Sequence, residues 1–164
     1  MGKNTLSAAS TADFIPRLHA ERDALKAFVT LLETEQQALL GGYTEQLLTL
    51  ADSKTQAVHE LSKLANVRRN ELLARGAKTE AGGSIAAWLQ THAADSLPVW
   101  HSIQQLAEQA QHLNRTNGVL IQTKLRHNQQ ALAALQNAAH SVNGLYGPDG
   151  QPHLPTSGRT LGSV

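Results

Sequence analysis

Residues 99–142 read VWHSIQQLAEQAQHLNRTNGVLIQTKLRHNQQALAALQNAAHSV, 44 positions without a proline in which apolar or small residues return at steps of three and four. That spacing places them on one face of an α-helix, and at ~1.5 Å per residue the helix is about 66 Å long. Its stripe runs Val99, Ile103, Leu106, Ala110, Leu113, Asn117, Ile121, Leu125, Asn128, Leu132, Leu135, Ala139 and Val142. A helix of this length persists in water only when its apolar stripe is covered. Three successive steps of four around Asn117 form a stutter, which locally unwinds a coiled coil. Asn117-Gly118 has two readings, a turn that splits the helix or a mid-helix glycine that lets another helix approach. The stripe resumes in phase beyond it, which favours a continuous helix.

The chain before this segment supplies its neighbours. Asp13 is suited to cap a first helix with Pro16 in the first turn, and its stripe is Leu18, Leu25, Phe28, Leu32 and Leu39, with Glu21 and Glu35 at the two intervening seam positions. Gly41-Gly42 ends it, since glycine readily takes the left-handed conformation of a helix terminus. A second helix starts near Thr44 or Glu45 and ends at Gly76, with the seam Leu47, Leu50, Lys54, Ala57/Val58, Leu61, Leu64, Arg68 and Leu72. So short a turn makes these two helices antiparallel neighbours. After a glycine-containing loop over 76–83, Ser84 is placed to cap a short helix carrying Ile85, Trp88 and Leu89, and Asp95-Ser96-Leu97-Pro98 opens the third long helix. Residues 143–164 contain five Gly and three Pro, the composition of a flexible tail.

The predicted fold is all-α: a flexible N-terminus over 1–12, a helical domain over 13–142 and a disordered tail over 143–164. Three long antiparallel helices form a coiled-coil-like bundle, with a short cross-piece helix between the second and third. The length of 164 residues suits one domain. Apolar residues make up 41% of the chain but aromatics only 4%, so the core is built from Leu, Ala, Val and Ile.

Composition and spacing exclude several function classes. The net charge is +1, too near neutral for a strong pull toward nucleic acid or membrane. With no cysteine, disulfides, a thiol nucleophile and Cys-ligated metal are out. The first residues lack the apolar run of a signal peptide, Leu6 stands where myristoylation needs Ser or Thr, and no stretch approaches the ~20 apolar residues of a membrane span. A cytoplasmic, non-membrane protein is expected. The eight histidines include no pair three or four apart on a helix, so no metal site is expected. No carboxylate pair, phosphate loop or serine–base arrangement suggests catalysis, and neither an enzyme nor a cofactor is predicted.

Polar residues on the apolar seams are the remaining candidates. Counting outward from the turn at 42–43 sets Glu35 level with Lys54 and Glu21 level with Arg68, so each pair would fix the register of the hairpin. The alternatives are Lys54 and Arg68 laying their stems on the stripe with their heads in water, or these residues meeting a partner protein. Asn117 and Gly118 join them as structural candidates.

A second helix of about 31 residues spans roughly 46 Å, so the third should pass the Gly41-Gly42 turn by ~20 Å, about 13 residues. That end carries Leu132, Leu135, Ala139 and Val142, which together with Leu125 form a candidate binding stripe for an amphipathic helix. Beyond Glu108 the charged residues are Arg115, Lys124, Arg126, Arg159 and Asp149, a net +3 that favours an acidic partner. The competing covers are a second copy of the chain, which would make it a homodimeric coiled-coil adaptor, and the tail folding back.

Several segments, in order, resemble the FlgN family of flagellar export chaperones. They are Leu31-Leu32-Glu33-Thr34-Glu35-Gln36-Gln37-Ala38-Leu39-Leu40-Gly41-Gly42, then Lys54, Arg68-Arg69-Asn70-Glu71-Leu72-Leu73, Leu113-Asn114-Arg115-Thr116-Asn117-Gly118-Val119-Leu120-Ile121, Gln130-Ala131-Leu132-Ala133-Ala134-Leu135 and Leu145-Tyr146-Gly147-Pro148-Asp149-Gly150. The resemblance covers roughly residues 15–150, and its most specific part is Leu-Asn-x-x-Asn-Gly followed by Leu-Tyr-Gly-x-x-Gly. It implies a cytoplasmic chaperone for the hook–filament junction proteins FlgK and FlgL, which binds their C-terminal helical region, prevents premature assembly and delivers them to the type III export gate. The export-gate component FlhA and the export ATPase complex are then further expected partners. Tyr146, the one aromatic of the tail, makes Leu145-Tyr146 a candidate gate contact; the alternative is a hydrophobic contact closing the helix.

Overall fold

In the computed structural model of the chain, residues 5–77 and 82–145 are described. They form α1 (Thr5–Gly41), α2 (Thr44–Ala74), α3 (Gly82–His92), a 3-10 turn at Ala94–Ser96 and α4 (Leu97–Leu145), with no strand among the described residues. Three boundaries differ from the sequence reading. α1 begins at Thr5, so Asp13 is interior to it and caps nothing. Residues 5–12 contain neither glycine nor proline, and Pro16 removes one backbone donor without ending the helix. α3 begins at Gly82, which puts Ser84 inside it. α4 is unbroken through Asn117-Gly118 and runs to Leu145, three residues past the expected end. The expected tail beyond Leu145 and the first four residues lie outside the described residues.

Glycine closes both α1 and α2 by the same device. Gly42 sits at φ +75° and Gly76 at φ +78°, where a Cβ would be strained. The left-handed residue turns the chain so that Tyr43 N–H donates to the Ala38 carbonyl at 3.0 Å and Ala77 N–H to the Leu72 carbonyl at 2.9 Å. The second closure also buries Ala77 beside Leu72, anchoring the end of α2 in the core.

Two contiguous units divide the chain, Met1–Leu120 and Ile121–Val164. In the first, the predicted stripe of α1 is buried along its whole length, from Leu18 to Leu39. α1 and α2 pack as an antiparallel pair, and the early turns of α4 lie along α1 in the same direction. One core cluster joins Phe14, Leu18 and Leu25 to Leu72, Ile85, Leu89, Val99, Trp100 and Ile103. A second joins Phe28, Val29 and Leu32 to Ala110, with Ala57, Leu61, Leu106 and Leu113 at its edge. Ala57, not Val58, is the α2 seam residue at that level, and Val58 is exposed. α3 closes one end, where the Phe14 and Trp88 rings meet edge-on at 5.9 Å. The second unit's described part is the continuation of α4, residues 121–145.

Candidate functional site: the seam and the exposed half of α4

Heptad-like spacing on α1 directs Glu21 and Glu35 to the buried side, so each carboxylate needs a partner. Lys54 Nζ donates to Glu35 Oε2 at 3.0 Å and Oε1 at 3.2 Å; the side chains are only 24% and 8% exposed. Asn117, fully buried, adds a second donor: its Nδ2 reaches Glu35 Oε2 at 2.8 Å and the Leu32 carbonyl at 2.8 Å. One polar knot therefore ties α1, α2 and α4 at a single level. Lower in the bundle Arg68 pairs with Glu21 and lays its guanidinium 5.0 Å from the centre of the Trp100 ring. Arg17 pairs with Glu71 nearby.

Gly118 has no comparable neighbour. A Cβ built there meets nothing within 4 Å, so the expected close approach of another helix at this glycine is wrong. The reason is angular: one residue on from Asn117, it points about 100° away from the face that meets α1.

The stripe of α4 changes environment along its length. Val99, Ile103, Ala110 and Asn117 are buried, whereas Ile121, Leu125, Leu132 and Leu135 are exposed, the last three by 56%, 59% and 68%. Ala139 is exposed as well. Val142 and Leu145 belong to α4, but their side chains, and Tyr146 altogether, lie outside the described residues. Exposed large apolar side chains at helical spacing form the kind of surface that a partner can cover.

Among the described residues no three His, Asp or Glu side chains assemble as a metal ion requires, and no helix is long and apolar enough to cross a membrane. Partial burial lowers the Arg75 pKa from its ordinary value, the Arg17 charge lowers it further and Asp13 opposes both, while its guanidinium packs 5.2 Å from the centre of the Phe14 ring. Sequence reasoning passed over the exposed Leu40, Tyr43 and Leu48 around the α1–α2 turn; their clustering beside Gly41-Gly42 was the available signal. It also passed over Trp100 as the platform for Arg68, which one turn of spacing from Ser96 and Ile103 does not reveal.

Known proteins bear on what such a surface meets. A family model described as FlgN protein matches residues 1–153. The flagella synthesis protein FlgN of Yersinia enterocolitica is 33% identical over 133 residues, covering 81% of this chain and 84% of that protein. Its counterpart in Salmonella typhimurium is 30% identical over 131 residues, covering 79% and 82%. No solved structure matches significantly. With the family match spanning nearly the whole chain, and relatives at 33% and 30% identity covering 81% and 79% of it, this chain belongs to the FlgN family.

Proposed function

We propose that this protein acts in flagellum assembly as a cytoplasmic export chaperone, taking the C-terminal helical region of the junction proteins FlgK and FlgL on the exposed stripe of α4. The observation that carries the reading is the exposure of Leu125, Leu132 and Leu135 at helical spacing in a chain of the FlgN family. Each leucine is worth about 1.5–3 kcal/mol when fully buried, so a client helix laid along residues 121–142 gains enough for specific binding. Val142 extends that stripe by its position in α4, and Leu145 with Tyr146 is assigned the contact to FlhA at the export gate. Glu21, Glu35, Lys54, Arg68 and Asn117 are given a supporting role, fixing the register in which the bundle presents α4.

Light scattering of the purified chain, alone and with a FlgK C-terminal fragment, tests this. A defined heterocomplex that forms on mixing is expected. A stable homodimer whose mass does not respond to the fragment contradicts it and identifies a coiled-coil adaptor.

A further inference from the structure

We propose that Asn128 sets the register of the bound client, whose helix carries one hydrogen-bonding side chain in an otherwise apolar seam, at the layer that meets Asn128. This rests on the reading of α4 as the client surface and specifies the chemistry of that client.

From Ile121 the stripe steps 4, 3, 4, 3, 4, 3 through Leu125, Asn128, Leu132, Leu135, Ala139 and Val142, an unbroken heptad repeat. A repeat of this kind accepts a partner helix in more than one position. Sliding the partner by seven residues, about 10.5 Å, sets apolar side chains against apolar side chains again. Burial of area is non-directional and does not choose between these positions. Asn128 breaks the degeneracy. At ~100° per residue it lies within about 30° of the line through Ile121, Leu125, Leu132 and Leu135, so a helix that covers those residues covers it too. Its side chain is exposed in the free chain, and once covered its amide needs a partner.

The same helix shows how a covered stripe asparagine is accommodated. Asn117 is fully buried and donates to Glu35 Oε2 and to the Leu32 carbonyl. One polar residue on an apolar seam fixes register because every slipped alignment leaves it facing hydrocarbon. Asn128 has two stripe positions before it and four after, so reversing the partner about that layer shortens the apolar overlap.

The experiment is calorimetric titration of the full chain with the FlgK C-terminal fragment, wild type against Asn128→Leu. Leucine makes the stripe continuously apolar, so a surface that binds by apolar area alone would hold the fragment more tightly. The expected result is the opposite: affinity at least about tenfold lower, because the client's polar side chain is left unpaired, with thermal unfolding as in wild type. Register is read separately. The chain has no cysteine, so a maleimide–benzophenone attached through Gln136→Cys, at the border of the stripe, cross-links the fragment from one known point. With Asn128 present one short segment of the fragment is labelled; with Asn128→Leu a second appears one heptad away. Equal or tighter binding by Asn128→Leu, or labelling of the single wild-type segment alone, overturns the inference and leaves the chaperone reading standing. Failure of the wild-type chain to bind the fragment overturns both. A wild-type homodimer that Asn128→Leu dissociates, with no response to the fragment, assigns Asn128 to a second copy and likewise overturns both.

Discussion

Leu132→Ser/Leu135→Ser is expected to abolish binding of the junction-protein fragment while leaving the free chain nearly as stable as wild type. Both side chains are more than half exposed, so their loss removes little packing from the free protein. Surface substitutions of this kind stay within about 0.5 kcal/mol each, or about 2–4 °C in total for a chain of this size. In the proposed complex the client helix buries the same side chains. Losing two leucines there forfeits about 3–6 kcal/mol, on the order of 10²–10⁴ in affinity. Calorimetric titration paired with a thermal melt checks both halves. A variant that binds within threefold of wild type would move the client surface elsewhere, with the exposed Leu40, Tyr43 and Leu48 as the next place to look.

Lys54→Met has the largest expected effect on stability. Glu35 is almost wholly buried and holds two donors, Lys54 and Asn117. Taking away the ammonium leaves a buried carboxylate facing an amide alone, which costs about 3–5 kcal/mol. For this chain length the midpoint of thermal unfolding should fall by about 6–20 °C. Glu35→Leu/Lys54→Met removes both charges and should recover most of the loss, since a well-packed apolar pair replaces a buried ion pair at little cost. The recovery stays incomplete because Asn117 then keeps only the Leu32 carbonyl. Denaturant midpoints of the three proteins check this. A loss below about 1 kcal/mol for Lys54→Met would mean the pair behaves as a solvated surface contact.

Much of the hairpin was legible because two signals coincide there. Leucines at heptad-like spacing define the buried face of α1, and Gly41-Gly42 fixes where the chain reverses, so the level of each charged seam residue follows by counting. Helix starts were harder to read. Asp13 and Pro16 look like an N-terminus, yet residues 5–12 hold no glycine or proline to stop a helix and one lost hydrogen bond does not end α1. Gly118 was misread because its role was inferred from residue type without the 100° step that separates it from Asn117. The stripe of α4 is equally periodic before and after Asn117, so the pattern says which residues share a face and not which of them are covered. Helix length, 49 residues in α4 against 31 in α2, carried only part of that information: it freed about 13 residues, whereas the stripe is exposed from Ile121 onward. Partner identity is a further step removed, because an exposed leucine stripe names the type of ligand and only the family match names flagella.

Hydrogen–deuterium exchange of the chain with and without the FlgK C-terminal fragment tests the central claim most directly, since it maps contact residue by residue along α4. Amides over residues 121–142 should slow by at least tenfold in the complex, with α1 and α2 unchanged. Protection confined to the α1–α2 hairpin, with 121–142 exchanging as in the free chain, would contradict the assignment of the client to α4.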